Sequence, residues 1–95
     1  MGWTVKIESE SGRSVEHDFD IGFDAIPHGP EYPVCSSVAH YYVTLLNPPQ
    51  LELFVQEWDK AASTPQFANL KHSAILRDIA ERCARHQLYI RFVGD

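Results

Sequence analysis

Ninety-five residues, 44% of them hydrophobic and 22% charged, with six prolines and five glycines, make one globular domain over 1–95; such a chain is too short for two cores and too apolar to stay disordered. Thirteen acidic against eight basic side chains leave a net charge of −5, which argues against nucleic acid as a partner, because a phosphate backbone repels such a surface. No apolar run approaches the roughly 20 residues of a membrane helix, so no membrane partner is expected either.

In chain order, Trp3, Val5 and Ile7 alternate with Thr4, Lys6 and Glu8, the period of a half-buried strand. Residues 9–14 form a turn in which Gly12 supplies positive φ, and Val15, His17, Phe19 and Ile21 then alternate with Glu16, Asp18 and Asp20. The first 22 residues therefore read as a β-hairpin with Glu8, Glu16, Asp18 and Asp20 on its outer face. Pro27, Gly29, Pro30 and Pro33 make residues 23–33 a loop carrying Asp24, His28, Glu31 and Tyr32.

Residues 34–46 satisfy two periods at once. Val34, Val38, Tyr41, Tyr42 and Leu45 fit a helix, but the run from His40 to Leu46 is rich in β-formers, and a strand over about 38–46 is the expectation. Asn47, Pro48 and Gln50 are a capping box with proline at the first helical position, followed by the stripe Leu51, Phe54, Val55, Trp58. A second helix starts at Thr64-Pro65, Asn69 or Ser73 and buries Ile75, Leu76, Ile79, Ala80 and Cys83. Leu88, Ile90 and Phe92 alternate with Tyr89, Arg91 and Val93 in a closing strand. The order β-β-β-α-α-β predicts an α+β fold: an N-terminal hairpin within a mixed or antiparallel sheet of about four strands, two helices packed on one face.

Candidate chemistry is sparse. His17-Asp18-Phe19-Asp20 resembles a metal or acid–base cluster, but strand geometry turns His17 away from both aspartates. Cys35 and His40 suggest a nucleophile and base, yet positions five apart face different ways on a helix or a strand. His28 has no ligand-spaced neighbour, and the histidines at 17, 28, 40, 72 and 86 form no zinc motif. Neither a metal nor a cofactor is expected. Cys35 and Cys83 make neither a ribbon nor a disulfide framework, and the N-terminus lacks the apolar segment of a leader, so a reducing, cytoplasmic setting is expected.

Charge is unevenly placed. From residue 8 to 31 seven acids face only Arg13, while from 60 to 91 six bases, including Arg77, Arg82, Arg85 and Arg91, face only Asp78 and Glu81. The C-terminal bases suit phosphate, but pairs such as Asp78–Arg82 and Glu81–Arg85 at helical spacing account for much of their charge. The acids together with Tyr32, Tyr41 and Tyr42 suggest a patch for a basic protein surface.

In size, acidity and closing helix–strand unit the chain is similar to the small bacterial barnase-inhibitor class and other toxin-immunity proteins, without a shared motif. The leading expectation is a non-enzymatic protein-binding module, an immunity- or antitoxin-like inhibitor occluding a basic partner such as a nuclease toxin, with Asp18, Asp20, Asp24, Glu31, Tyr32 and Tyr42 as contact residues. Two alternatives stand beside it. One is a small enzyme or ligand-binding domain using Cys35, His40 or His28 at the loop; the other is a homo-oligomeric subunit with Trp58 or the Tyr41–Tyr42 pair in its interface.

Overall fold

The alternation at the N-terminus makes β1 (Gly2–Glu8) a strand with Trp3, Val5 and Ile7 buried on one face. The computed structural model describes residues 2–40 and 42–94, the side chains of Phe23, Ala39 and His40 excepted. Tyr41 and the His40 imidazole, both named above, lie outside the described residues.

After β1 the chain turns through residues 9–13, with Gly12 at φ 84° and the Ser9 N–H donating to the Arg13 carbonyl at 2.8 Å. It returns as β2 (Phe19–Gly22), antiparallel to β1 with Val5 opposite Phe19. The hairpin is present, but its second arm is shorter than the alternation from Val15 suggests. Glu8 bridges Ser14 while Val5 faces Phe19; two extra residues therefore bulge from the second arm, and Val15 is exposed.

Residues 34–46 divide. The first part is a helix, α1 (Pro33–His40), and only Val43–Leu46 forms β3, which corrects the strand expected over 38–46. Proline at the first helical position starts α1, and its next two N–H groups, on Val34 and Cys35, are accepted by Glu57 from across the fold at 3.1 and 2.9 Å. Cys35 and Val38, three residues apart on one helical face, are fully buried.

The capping box forms as read: the Asn47 side chain accepts from the Gln50 N–H and the Gln50 side chain from the Asn47 N–H, both at 2.9 Å. It opens α2 (Pro48–Ala62), which buries Leu51, Phe54, Val55 and Trp58. Thr64-Pro65 begins a run of 3₁₀ turns, Pro65–Ser73, broken at Phe67, where φ/ψ is −115°/35°. The second long helix, α3 (Ala74–Arg85), starts only at the Ser73 cap. It buries Leu76, Ala80, Cys83 and Ala84, whereas Ile75, expected in the stripe, is 69% exposed.

Helix α3 ends with Gln87 at φ 58° and the Leu88 N–H donating to the Cys83 carbonyl at 2.9 Å, a Schellman closure. The chain then forms β4 (Tyr89–Gly94). The sheet is antiparallel throughout, in the order β2-β1-β4-β3. The architecture is α+β, with α1 as a third helix beyond the two expected. One face carries the core: Trp3, Val5, Ile7, Leu46, Ile90 and Phe92 are buried, and Phe92 stacks on Phe54 of α2 at 5.9 Å.

The other face carries Thr4, Lys6, Glu8, Asp20, Val43, Leu45, Tyr89, Arg91 and Val93, as their pairing across the sheet requires. No helix among the described residues is long and apolar enough to cross a membrane.

Candidate interaction surface

The six residues expected to contact a partner fall in three places. Asp18 and Asp20 lie at the β2 edge of the sheet. Asp18 is paired with Lys6 at 2.6 Å, and Asp20 accepts the Thr4 hydroxyl at 2.9 Å. Tyr42 precedes β3 at the opposite edge, separated from β2 by two strands, and is 70% exposed. Asp24, Glu31 and Tyr32 belong to the loop between β2 and α1.

Tyr32 is only 5% exposed and belongs to the core, a correction to its reading as a surface anchor. Its ring meets Phe67 edge-on at 5.6 Å and lies beneath the Lys60 ammonium at 5.8 Å. Tyr32 joins Ala25, Ile26 and Pro27 of the same loop, which are buried as well.

Internal pairing drains charge from the acidic N-terminal stretch. Arg91 grips Glu8 through two guanidinium nitrogens at 3.0 and 3.2 Å, and Arg82 reaches Glu16 at 2.9 Å. Both arginines are held further above their usual range by hydrogen bonds to these carboxylates. Glu8 is buried, so it does not join an outer acidic face. Arg77 bonds Asp59 through two nitrogens at 3.0 and 2.9 Å and also pairs with Asp78 and Glu81. The Glu81–Arg85 pair forms at 3.5 Å. Asp78 turns to Arg77 instead of Arg82, which is engaged by Glu16.

Four acids of the N-terminal stretch remain outside any ion pair among the described residues: Glu10, Asp20 and, on the loop, Asp24 and Glu31. Asp24 and Glu31 are exposed. The backbone carrying them is fixed at several points. The Ser36 hydroxyl accepts the Gly29 N–H at 2.8 Å and donates to the Gly29 carbonyl at 2.9 Å, holding Gly29 at φ 131°. The Tyr32 N–H donates to the same carbonyl at 3.0 Å, and the Trp58 indole donates to the buried Ala25 carbonyl at 3.1 Å.

Beside this loop lies a cleft of about 220 Å³, with Asp24, His28, Gln66 and Asn69 around Phe67 and the buried Ile26 and Leu70. The His28 ring meets the Phe67 ring at 5.8 Å and 83°. Phe67 thus contacts both His28 and Tyr32. The sequence reading missed it along with Glu57, since each acts on a segment far along the chain and leaves no local signal; Ser36, missed too, acts on Gly29 only seven residues away.

The thiol alternatives change character. Cys35 is fully buried and donates to the Phe54 carbonyl at 3.6 Å; burial, reinforced by the Glu57 carboxylate, raises its pKa far above the usual range. Burial pushes Cys83 up to about 11, against the pull of Arg82. Both are free thiols held in the inert, protonated form. Trp58 is buried and hydrogen-bonded inside, not available to an interface. Among the described residues no three His, Cys, Asp or Glu side chains gather to hold a metal ion.

No protein-family model, curated protein or solved structure matches the chain.

Proposed function

We propose that the protein is a small non-enzymatic binding module that docks a basic protein surface through the loop of residues 24–31, in the manner of an immunity-type inhibitor. The observation that carries this reading is the pair of exposed carboxylates, Asp24 and Glu31, left without internal bases on a loop pinned by Ser36, Tyr32 and Trp58. A fixed loop loses little entropy on binding. Its unpaired acids steer a cationic partner such as a nuclease toxin, whose phosphate-binding surface they would occupy. His28 and the half-buried Phe67 supply the contact that is desolvated in the complex. Asp20, which is in no ion pair among the described residues, adds field at longer range, whereas Asp18 is neutralised by Lys6. The two free thiols fit a reducing, cytoplasmic setting.

The test is a capture experiment with two baits, the wild-type chain and Asp24→Asn/Glu31→Gln, in lysate of the native host at low salt. A stoichiometric basic protein held by the wild type, released by salt and lost with the variant is expected. Identical capture by both baits contradicts the proposal.

A second reading, a small-ligand site, is favoured by the cleft beside His28, where a carboxylate, an imidazole and two amides surround an apolar floor. It is distinguished by ligand-induced shifts of the His28 ring resonances in an NMR fragment screen.

A further inference from the structure

We propose that the cleft beside the loop seats an arginine side chain of the basic partner, its guanidinium against Asp24 and its aliphatic stem against Ile26 and Leu70. The seat rests on the docking of a basic protein at this loop, and it names the partner's anchor. Two segments wall the cleft. The loop between β2 and α1 brings Asp24 and His28; the 3₁₀ turns of residues 65–73 bring Gln66 with Asn69, and Phe67 with Leu70, each pair three residues apart as that helix repeats.

Size sets the class of occupant. Pockets for small molecules usually measure about 300–1,000 Å³, and this cleft, at about 220 Å³, has room for one long side chain rather than a whole ligand.

The lining sets its charge. Among the described residues the side chains of Asp24, His28, Gln66 and Asn69 have no hydrogen-bond or ion-pair partner. No lysine or arginine of the chain lines the cleft; Lys60 is held over the Tyr32 ring at 5.8 Å, outside the lining. An incoming group therefore meets one full negative charge and two amides whose oxygens accept from a donor, above an apolar floor. An anion would oppose the carboxylate, and an uncharged apolar group would cover it without replacing its water.

Shape separates arginine from lysine. Phe67 is half-buried, and the rings of His28 and Tyr32 meet it edge-on at 5.8 and 5.6 Å, which fixes its orientation. A guanidinium is planar, weakly hydrated and carries its donors in a fork, so it can lie on an aromatic ring, bond both oxygens of a carboxylate and still reach an amide. An ammonium is a compact, strongly hydrated charge and leaves most of these groups unmet.

The test is a titration of the full chain, followed through its amide and aromatic NMR resonances, with an N-acetylated, amidated Gly-Arg-Gly tripeptide. The corresponding lysine and neutral citrulline peptides serve for comparison. Saturable shifts centred on His28, Phe67 and Leu70 are expected from the arginine peptide, with about tenfold weaker binding of the lysine peptide and none of the citrulline one. Asp24→Asn should weaken the arginine peptide about tenfold with an unchanged unfolding midpoint, and Asn69→Leu, which removes an acceptor but no charge, should weaken it less. No saturable shift, shifts centred elsewhere, or equal binding of the lysine or citrulline peptide overturns the proposal. Should a variant not fold, the three wild-type titrations decide. No partner is needed for this titration. Arginine binding at the cleft without a captured partner contradicts the docking proposal alone; a captured partner without arginine binding contradicts the arginine seat alone.

Discussion

The Glu57 carboxylate of α2 accepts the Cys35 N–H of α1 at 2.9 Å with one oxygen, and its other oxygen takes the neighbouring Val34 N–H at 3.1 Å. A side chain from another helix thus performs the capping role that a local Ser, Asp or Asn performs elsewhere. Glu57→Ala is expected to cost about 1 kcal/mol, in the range of a lost cap, with Glu57→Gln intermediate because one acceptor survives. Urea denaturation reads both; an unchanged midpoint in the alanine variant contradicts the role.

Trp58 ties α2 to the start of the loop between β2 and α1. Trp58→Phe keeps most of the apolar contact but leaves the buried Ala25 carbonyl without its donor, at an expected cost of about 1–3 kcal/mol. The same variant should accelerate amide exchange across residues 24–32. Faster exchange confined to α2 would show that the indole does not anchor the loop.

The two thiols define an alkaline limit. Cys83 moves from an ordinary value of 9.0 to about 11, and Cys35 moves in the same direction. A folded-state pKa above the unfolded one means that the native state retains the proton more strongly. The associated stability is complete below pH 9.0 and declines through about 11. Thermal melts across that interval are expected to fall, less steeply in Cys83→Ala. At neutral pH a thiol-specific reagent should label neither cysteine until denaturant opens the fold; rapid labelling of the native protein contradicts this.

Gln87 adopts φ 58° at the end of α3, a conformation that costs an L side chain about 1 kcal/mol and glycine almost nothing. Gln87→Gly is therefore expected to raise stability by about that amount. A lower melting temperature would show that the Gln87 side chain contributes more than its strain removes.

The parts of the fold legible in the sequence are those whose determinants lie close together. Asn47, Pro48 and Gln50 are within one turn of each other, and the Leu51–Trp58 stripe repeats within eight residues, so both read correctly. The alternations of β1 and β4 are equally local. Helix α1 was hidden because its cap, Glu57, lies 22 residues beyond Cys35, and because Tyr42 to Leu46 carry a strand pattern that blurs into the helix before them. At the candidate site, Asp24 and Glu31 were legible as acids in a proline-rich loop. The burial of Tyr32 depends on Phe67 and Lys60, and the neutralisation of Glu8 and Glu16 on Arg91 and Arg82. None of these long-range partners leaves a mark at the residue it controls.

The central claim, that the loop bearing Asp24 and Glu31 guides a basic partner onto the protein, is tested most directly by association kinetics. With the partner captured by the wild-type chain, the association rate constant is measured against ionic strength for the wild type and for Asp24→Asn/Glu31→Gln. The rate for the wild type is expected to fall steeply with salt, and that for the variant to be at least tenfold lower at low salt with a shallower dependence. Equal rates and parallel salt dependences for the two chains would contradict the account.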